Sequence, residues 1–417
     1  MRRPASILGA IVSLTRSDPD QQPALLSYGF RPFFLAAGLY AVVAMVAWMG
    51  WLGLHNMHAS VNSPSISMAP HLWHGHEMLF GYASAAAAGF MLTAVPNWTG
   101  ARRLAGLPLL LLALLWIAGR AAVWFSAWIP PLVVALIDLS FLPLLTMVMA
   151  AGLMLRSQPR NLVFLGLLAA LAVANLQVHL EWMEYAVGDA TQGLASAVMI
   201  FSLMLVIVGG RVVPSFTRNA LIRLETARPL PVSSPAIDRL SVLSATMVAG
   251  LSLAAAPDRL IALACAAAAA FNAIRMVRWQ TVAVIGQPIL WSLHLAYGLL
   301  VAGYAAVAAD KGFGLSGFSG QHLLGVGALG CMTLAIMTRA ALGHTGRALE
   351  VRPIIAAAYL LVAAAAVVRG VGAYLVPQHY FGVMFLAGGL WILAFSAFAV
   401  VYFPILIQQR QFRTLGD

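Results

Sequence analysis

The chain has 417 residues, of which 62% are hydrophobic and only 9% are charged, and its mean hydropathy is +0.89. In a soluble protein roughly a quarter of all residues are charged, so this composition excludes soluble domains and indicates a polytopic membrane protein. The formal net charge of +11 would suggest an acidic partner such as nucleic acid, unless membrane topology explains the basic residues.

Twelve apolar segments are each long enough to form a transmembrane helix, which takes about 20 residues. In chain order they cover residues 30–54, 72–96, 107–127, 129–155, 161–187, 191–214, 236–256, 258–278, 286–309, 319–342, 352–375 and 380–407. The predicted fold class is all-α, a polytopic membrane bundle of about twelve transmembrane helices. The predicted organisation comprises an N-terminal tail (1–28), one membrane domain (29–407) with an inner loop at 211–235, and a C-terminal tail (408–417).

The basic residues are distributed unequally between the two sides of this predicted bundle. Most of the 24 lie in tails and loops of one side, whereas the other side carries only Arg259 and Lys311. The positive-inside rule then predicts that both termini are cytoplasmic. Membrane topology thus explains the excess of positive charge. A lipid bilayer is therefore the predicted partner, and nucleic acid is excluded.

Charged residues inside predicted spans are costly and need a partner or a function. Arg120 and Asp138 lie at similar depths in a predicted helical hairpin, so a structural salt bridge is favoured over a proton relay. Arg369 has no evident partner in the sequence. It could pair with an anionic group, such as a haem propionate, or extend to the outer surface.

Histidines and carboxylates are concentrated in the predicted outer half of the membrane. The motif HLWHGHE at 71–77 contains His74 and His76, while His179 and His322 lie in later spans. Imidazole nitrogens suit copper, iron or zinc, so these four are predicted metal ligands, although each could instead link helices through hydrogen bonds. His74 and His76 are separated by about 200° on a regular helix, so they share an ion only if the helix begins between them.

Three of the five glutamates lie close to these histidines in the sequence. Buried carboxylates can orient ligand rings or transfer protons. A proton relay is therefore predicted for three residues: Glu77, Glu181 and Glu184.

A second group of candidates lies towards the predicted cytoplasmic side. His344 follows His322 by about 22 residues, or ~33 Å of helix, so the two cannot bind one ion. His294 and His344 are therefore candidates for a different metal or cofactor, unless one is a surface residue. Tyr297 shares a helical face with His294, and Arg339 could hold an anionic cofactor group or simply follow the positive-inside rule.

Six ordered motifs carry a resemblance to a known family. They are GFRPFF at 29–34, WHGHEMLFGY at 73–82, LTAVPNWTG at 92–100, GGRVVPSFTRNA at 209–220, WSLHLAYG at 291–298 and HLLGVGALGCMTLAIMTRAALGHTGR at 322–347. Together they resemble the NnrS family, the haem- and copper-containing membrane proteins of the bacterial nitric oxide response.

The resemblance implies haem, expected to be b-type, and copper in a protein of the bacterial inner membrane. Its pattern maps onto His74, His76, Glu77, Asn97, Trp98, Arg211, Asn219, His294, His322, Arg339 and His344. We predict cofactor binding by His294, Tyr297, His344, Arg211 and Arg339. The pattern does not show which residues bind haem and which bind copper.

The leading functional prediction is a redox site that binds and reduces nitric oxide, with electrons from an unknown donor such as a quinol. A non-catalytic nitric oxide or metal-binding protein is the first alternative. A twelve-helix secondary transporter is the second, and a metal chaperone or haem-handling protein is the third.

Overall fold

The computed structural model describes residues 22–57, 65–155, 159–185, 190–225, 228–315 and 319–411. Within these ranges the chain contains helices and no β-strand, and twelve helices are long and apolar enough to cross a membrane. The predicted fold class is thereby confirmed, while the orientation stays a prediction. Most of the predicted tails, residues 1–21 and 412–417, lies outside the described residues.

We number the membrane helices in chain order. They are α1 (Phe30–Asn56), α2 (Pro70–Thr99), α3 (Leu107–Trp124), α4 (Pro131–Met154), α5 (Pro159–Trp182), α6 (Ala190–Arg223), α7 (Pro235–Leu253), α8 (Asp258–Val277), α9 (Pro288–Phe313), α10 (Gly320–His344), α11 (Pro353–Leu375) and α12 (Tyr380–Ile407).

Proline and glycine set several helix boundaries. Pro70, Pro235 and Pro288 occupy the first turn of their helices, where a missing N–H costs nothing and the fixed φ suits a helix. Gly100 and Gly314 follow α2 and α9 with φ near 65°, a left-handed conformation that glycine adopts without a steric penalty. These local signals explain why most observed boundaries lie close to the predicted ones.

Helix α6 is longer than predicted. The prediction ended it at residue 214, but the helix passes through Pro214 and continues to Arg223. Transmembrane helices tolerate an internal proline because neighbouring groups can satisfy the freed backbone carbonyl. The connection between α6 and α7 is therefore shorter than the predicted 211–235.

Two membrane helices contain π-helical turns that the sequence did not predict. In α2 the π-helical part is Glu77–Ala83, directly after His76, and in α10 it is Leu323–Gly330, directly after His322. A π-helical turn holds more residues than an α-helical turn, and such turns occur often at functional sites. Both wide turns thus adjoin predicted ligand residues.

Helices α2 and α6 are the most buried of the twelve, followed by α10. Helix α1 packs against α2 and α12, and α9 packs against α8, α6 and α10. We call the face at which α2 and α10 begin the outer face, following the predicted orientation, and the face at which they end the inner face. The candidate sites lie around these central helices.

Candidate metal and cofactor sites

Four consecutive helices, α2 to α5, contribute buried polar side chains to one position in the predicted outer half. We call this group the polar cluster, and it consists of His76, Glu77, Arg120, Asp138, Asn175 and His179. None of the six is more than 6% exposed. In so apolar a chain, this concentration of polar groups is the main candidate for a functional site.

Asp138 lies at the centre of the polar cluster. Its Oδ2 accepts a hydrogen bond from Asn175 Nδ2 at 2.8 Å and lies 3.0 Å from His179 Nε2 and 3.3 Å from His76 Nε2. Its Oδ1 accepts a hydrogen bond from Arg120 Nη2. One aspartate therefore connects side chains from three other helices.

Glu77 completes the cluster on the other side of Arg120. Its Oε1 lies 2.5 Å from Arg120 Nη1 and 2.8 Å from His76 Nδ1. Its second oxygen, Oε2, is buried and has no hydrogen-bond partner among the described residues. Glu77 thus orients the His76 ring with one oxygen, while the Trp124 indole interacts with the same carboxyl group.

Both ring nitrogens of His76 face oxygen acceptors. Nδ1 faces Glu77 Oε1, while Nε2 lies 3.0 Å from Asn175 Oδ1 and close to Asp138. A neutral imidazole has only one N–H donor. Three arrangements resolve this: the ring carries a second proton, Glu77 is protonated and donates to Nδ1, or a cation lies between Nε2 and its oxygen neighbours.

The formal charges lead to the same conclusion. One guanidinium faces two carboxylates, so the cluster carries a net negative charge when both histidines are neutral. Burying an uncompensated charge costs roughly several kcal/mol, even after the surrounding protein has relaxed around it. A proton on Glu77 or on an imidazole, or a bound metal ion, would balance the cluster.

The geometry is suited to a metal ion. His76, Asp138 and His179 each offer a ligand atom, and the three atoms lie within 4.8 Å of one another. Ligands about 2.1 Å from a tetrahedral ion are about 3.4 Å apart, close to the separations of Asp138 Oδ2 from the two imidazole nitrogens. Two imidazoles with one carboxylate suit zinc, copper(II) or iron, and Glu77 would orient the His76 ring as carboxylates beside ligating histidines do.

Only part of this cluster can be predicted from the sequence. His76, His179 and Glu77 are the predicted functional residues, and the Arg120–Asp138 pair is predicted to be a structural salt bridge. That pair is present, but Asp138 also contacts both histidines. One available signal was Asn175, which lies four residues before His179 and so shares its helical face.

His74 lies apart from the polar cluster, although only one residue separates it from His76. Helix α2 is regular from Pro70 to His76, so the two side chains point in different directions. His74 lines a cavity of about 230 Å³, which we call the outer cavity, together with His322, Met45 and Met78. The four histidines predicted as outer metal ligands are thus divided between two places.

The outer cavity has features of a second ligand site. His74 Nδ1 is buried, with no hydrogen-bond partner in the described part of the chain. His322 Nδ1 lies 2.5 Å from Ser319 Oγ, and Arg369 is close enough to both histidines to interact electrostatically. Arg369, for which the sequence offered no partner, therefore lies within electrostatic range of this cavity's histidines.

The ring of His74 is part of a row of stacked rings at the outer end of α1. It stacks on Trp48 at 4.6 Å between centroids, Trp48 stacks on Trp51 at 5.3 Å, and Trp51 stacks on His55 at 5.2 Å. The successive ring planes lie within 10° of parallel. Because stacking restricts ring rotation, it fixes the plane of the His74 imidazole.

The three glutamates predicted as a proton relay have different environments. Glu77 belongs to the polar cluster, Glu181 is partly buried near the end of α5, and Glu184 is exposed just beyond that end. His179 is fully buried on the same helix. Helix α5 thus carries ionisable groups from the outer surface to the cluster, and the relay itself stays a prediction.

Towards the inner face, His344 and Arg339 line a cavity of about 390 Å³, which we call the inner cavity. Trp98 and Phe216 form part of its aromatic wall, and the Arg339 guanidinium lies 3.7 Å from the Phe216 ring centroid. A neighbouring cavity of about 530 Å³, which also includes Arg223, shares Arg339 with it. Together they provide a histidine, aromatic walls and two guanidinium groups.

The other predicted cofactor residues do not line the inner cavity. His294 has both ring nitrogens beside hydroxyls, with Nε2 2.9 Å from Thr217 Oγ1 and Nδ1 3.0 Å from Thr281 Oγ1. This is the environment of a histidine that links neighbouring segments through hydrogen bonds.

Tyr297 and Arg211 also have protein partners. Tyr297 donates a hydrogen bond to Asn272 Oδ1 at 2.5 Å and lies 3.3 Å from Arg275 Nη1. Arg211 donates to Asn161 Oδ1 at 3.0 Å. For these two residues, as for His294, a cofactor role stays a prediction.

The fold and the polar cluster define a multi-pass membrane protein with a buried site able to hold a metal ion. The chain matches the family model described as NnrS protein over residues 24–410, nearly its whole length. The chain therefore belongs to the NnrS family, which confirms the resemblance. No curated protein matches it.

Proposed function

We propose that the protein acts in nitric oxide metabolism or detoxification in the bacterial inner membrane, as a haem- and copper-binding protein that reduces nitric oxide. The observation that carries the proposal is the polar cluster, in which two histidines and an aspartate converge in a buried site whose ligand atoms lie within 4.8 Å of one another. Family membership supports the link to nitric oxide, and the twelve apolar helices support a membrane location.

The polar cluster is the proposed copper site. His76, His179 and Asp138 would hold the ion, because two imidazole nitrogens and a carboxylate oxygen suit copper(II). Arg120 would keep Asp138 and Glu77 in position through its two hydrogen bonds. Bound copper would supply a redox-active centre that can bind nitric oxide.

The inner cavity is the proposed haem site. His344 would provide a ring nitrogen, and Trp98 and Phe216 would pack against the macrocycle. Arg339 and Arg223 would pair with the propionates, since guanidinium groups bind carboxylates through two parallel hydrogen bonds. Helix α10 separates His344 from the outer histidine His322 by ~33 Å, so this site is distinct from the outer cavity.

The reaction joins two nitric oxide molecules to nitrous oxide and water, and consumes two electrons and two protons. We propose a membrane quinol as the electron donor. Protons would reach the polar cluster from Glu184 and Glu181 along α5, and Glu77 Oε2 would hold one because it has no other hydrogen-bond partner within the described ranges. The chain's contribution is thus to exclude water and supply protons at a defined atom.

A metal count and an optical spectrum of the purified protein test the two sites separately. His179→Ala should lose copper but keep haem absorbance, whereas His344→Ala should lose haem absorbance but keep copper. His379→Ala removes an exposed histidine of the outer face and should change neither. If the first two variants both retain wild-type copper and haem, the assignment is wrong.

A non-catalytic nitric oxide-binding protein is the second candidate function. The distance between the proposed haem site and the outer histidines favours it, because reduction at a paired haem–metal site needs both centres close together. Nitrous oxide production with a quinol donor would support the enzyme. Stoichiometric nitric oxide binding without nitrous oxide would support the binding protein.

A further inference from the structure

A small cavity lies at mid-depth in the bundle, where α2, α6 and α10 pass one another. Its volume is about 40 Å³, and its walls include Ala83, Ala86 and Ala87 of α2, Met204 of α6 and Met332 of α10. All five residues are at most 9% exposed. We call it the midplane cavity, and the three alanines leave space where larger side chains would fill the bundle.

The walls of this cavity offer almost nothing to a polar guest. Thr333 is the one residue among its lining with a polar side chain, and its hydroxyl already donates to Leu329 O at 2.7 Å. The same hydroxyl also contacts the Tyr82 hydroxyl. A buried water needs two to four polar partners, and apolar cavities stay dry and bind apolar guests such as xenon. The midplane cavity therefore favours a small uncharged molecule over water or an ion.

The midplane cavity lies between the two larger cavities. It shares Leu329 with the outer cavity, and it shares Phe34, Phe90 and Ile336 with the inner cavity. A guest could therefore reach it from either side by moving past shared side chains. An ion on the same route would lose its hydration with no replacement partner.

We propose that the midplane cavity is a binding site for one small, uncharged diatomic molecule between the outer and inner cavities. Its size and apolar walls carry the proposal and require no metal or haem. Only the identity of the natural guest, nitric oxide, rests on the proposed function.

Xenon is the probe for the cavity itself. Nuclear magnetic resonance of ¹²⁹Xe should show saturable binding to the purified full-length protein in nanodiscs. Ala86→Leu places three more carbon atoms against the cavity and should weaken xenon binding at least tenfold, whereas Met332→Ala should strengthen it. Ala357→Leu alters an exposed alanine of α11 and should leave binding unchanged.

Two results would overturn the proposal: no saturable xenon binding to the wild-type protein, or equal binding by the wild type and a folded Ala86→Leu variant. If Ala86→Leu does not fold, Met332→Ala decides, because unchanged xenon binding in that variant also overturns the proposal. Anaerobic nitric oxide should displace xenon, and failure to do so would overturn nitric oxide as the guest. Absence of copper and haem would refute the proposed function but leave the xenon result intact.

Discussion

Replacing Asp138 by asparagine tests whether this residue organises the polar cluster. The substitution keeps the size of the side chain but removes the charge that faces Arg120. It also replaces an acceptor near His76 and His179 by an N–H donor. Removing one partner of a buried ion pair costs about 3–5 kcal/mol. Because Glu77 Oε1 remains 2.5 Å from Arg120 Nη1, we expect the lower end, about 3 kcal/mol.

Unfolding of the purified protein in mixed micelles, followed by tryptophan fluorescence, measures the loss of stability, and mass spectrometry of the same samples measures bound metal. Asp258→Asn is the matched control, since it breaks an ion pair in which Asp258 is 65% exposed and Lys311 lies 2.5 Å away. Exposed pairs contribute about 0–1 kcal/mol. The control should therefore stay near wild-type stability and keep its metal.

Asp138 does not organise the cluster if Asp138→Asn unfolds within about 0.5 kcal/mol of the wild type and retains the same metal content, since the predicted loss is several times larger. A variant that is stable but lacks metal would support Asp138 as a metal ligand and refute its contribution to the stability of the fold. A variant that is unstable but keeps its metal would support the contribution to stability and refute the ligand role.

Two further predictions concern packing and orientation. Gly210→Ala should destabilise the protein by roughly 1–3 kcal/mol in thermal unfolding, because an added Cβ would collide with the Arg275 guanidinium, which hydrogen bonds to Asp238 and to the Val206 carbonyl hold in place. Gly250→Ala, in open space on a helix, should be neutral or slightly stabilising, and equal effects of the two substitutions would contradict the packing argument. In intact cells, a membrane-impermeant maleimide should label Ser67→Cys but not Ser233→Cys. Both positions are exposed, so the reverse pattern would invert the predicted orientation.

The membrane spans could be predicted because apolar length is a local property of the sequence. The predicted last span, 380–407, coincides with Tyr380–Ile407, and most others differ by a few residues. Helix α6 departs further because Pro214 and the polar residues after it resemble a loop, although the helix continues to Arg223. The π-helical turns gave no signal in composition, since such turns arise from packing between helices.

The types of residue that form the site could be predicted from the sequence, but not which of them lie together in space. His76 and His179 were recognised because histidines are rare in apolar spans. Their connection through Asp138 depends on how α4 packs beside α2 and α5, which no local pattern shows. The separation of His74 from His76 followed from where α2 begins, and the sequence left that choice open. His294 was also recognised by its residue type, but its neighbours could not be predicted. The Thr217 hydroxyl that contacts it lies far away in the chain, and nothing in the sequence marks Thr281 as its second partner.

The polar cluster also constrains how the chain is made. An arginine or aspartate at the centre of a lone helix costs about 2.5–3.5 kcal/mol during insertion from the translocon. Helix α3 brings Arg120 and α4 brings Asp138, and their charged partners lie on other helices: Glu77 on α2 for Arg120, and Arg120 on α3 for Asp138. Helices α2 to α5 should therefore leave the translocon as a preassembled group. Insertion of these four helices would then be cooperative, and the later helices would be added to a group that is already assembled.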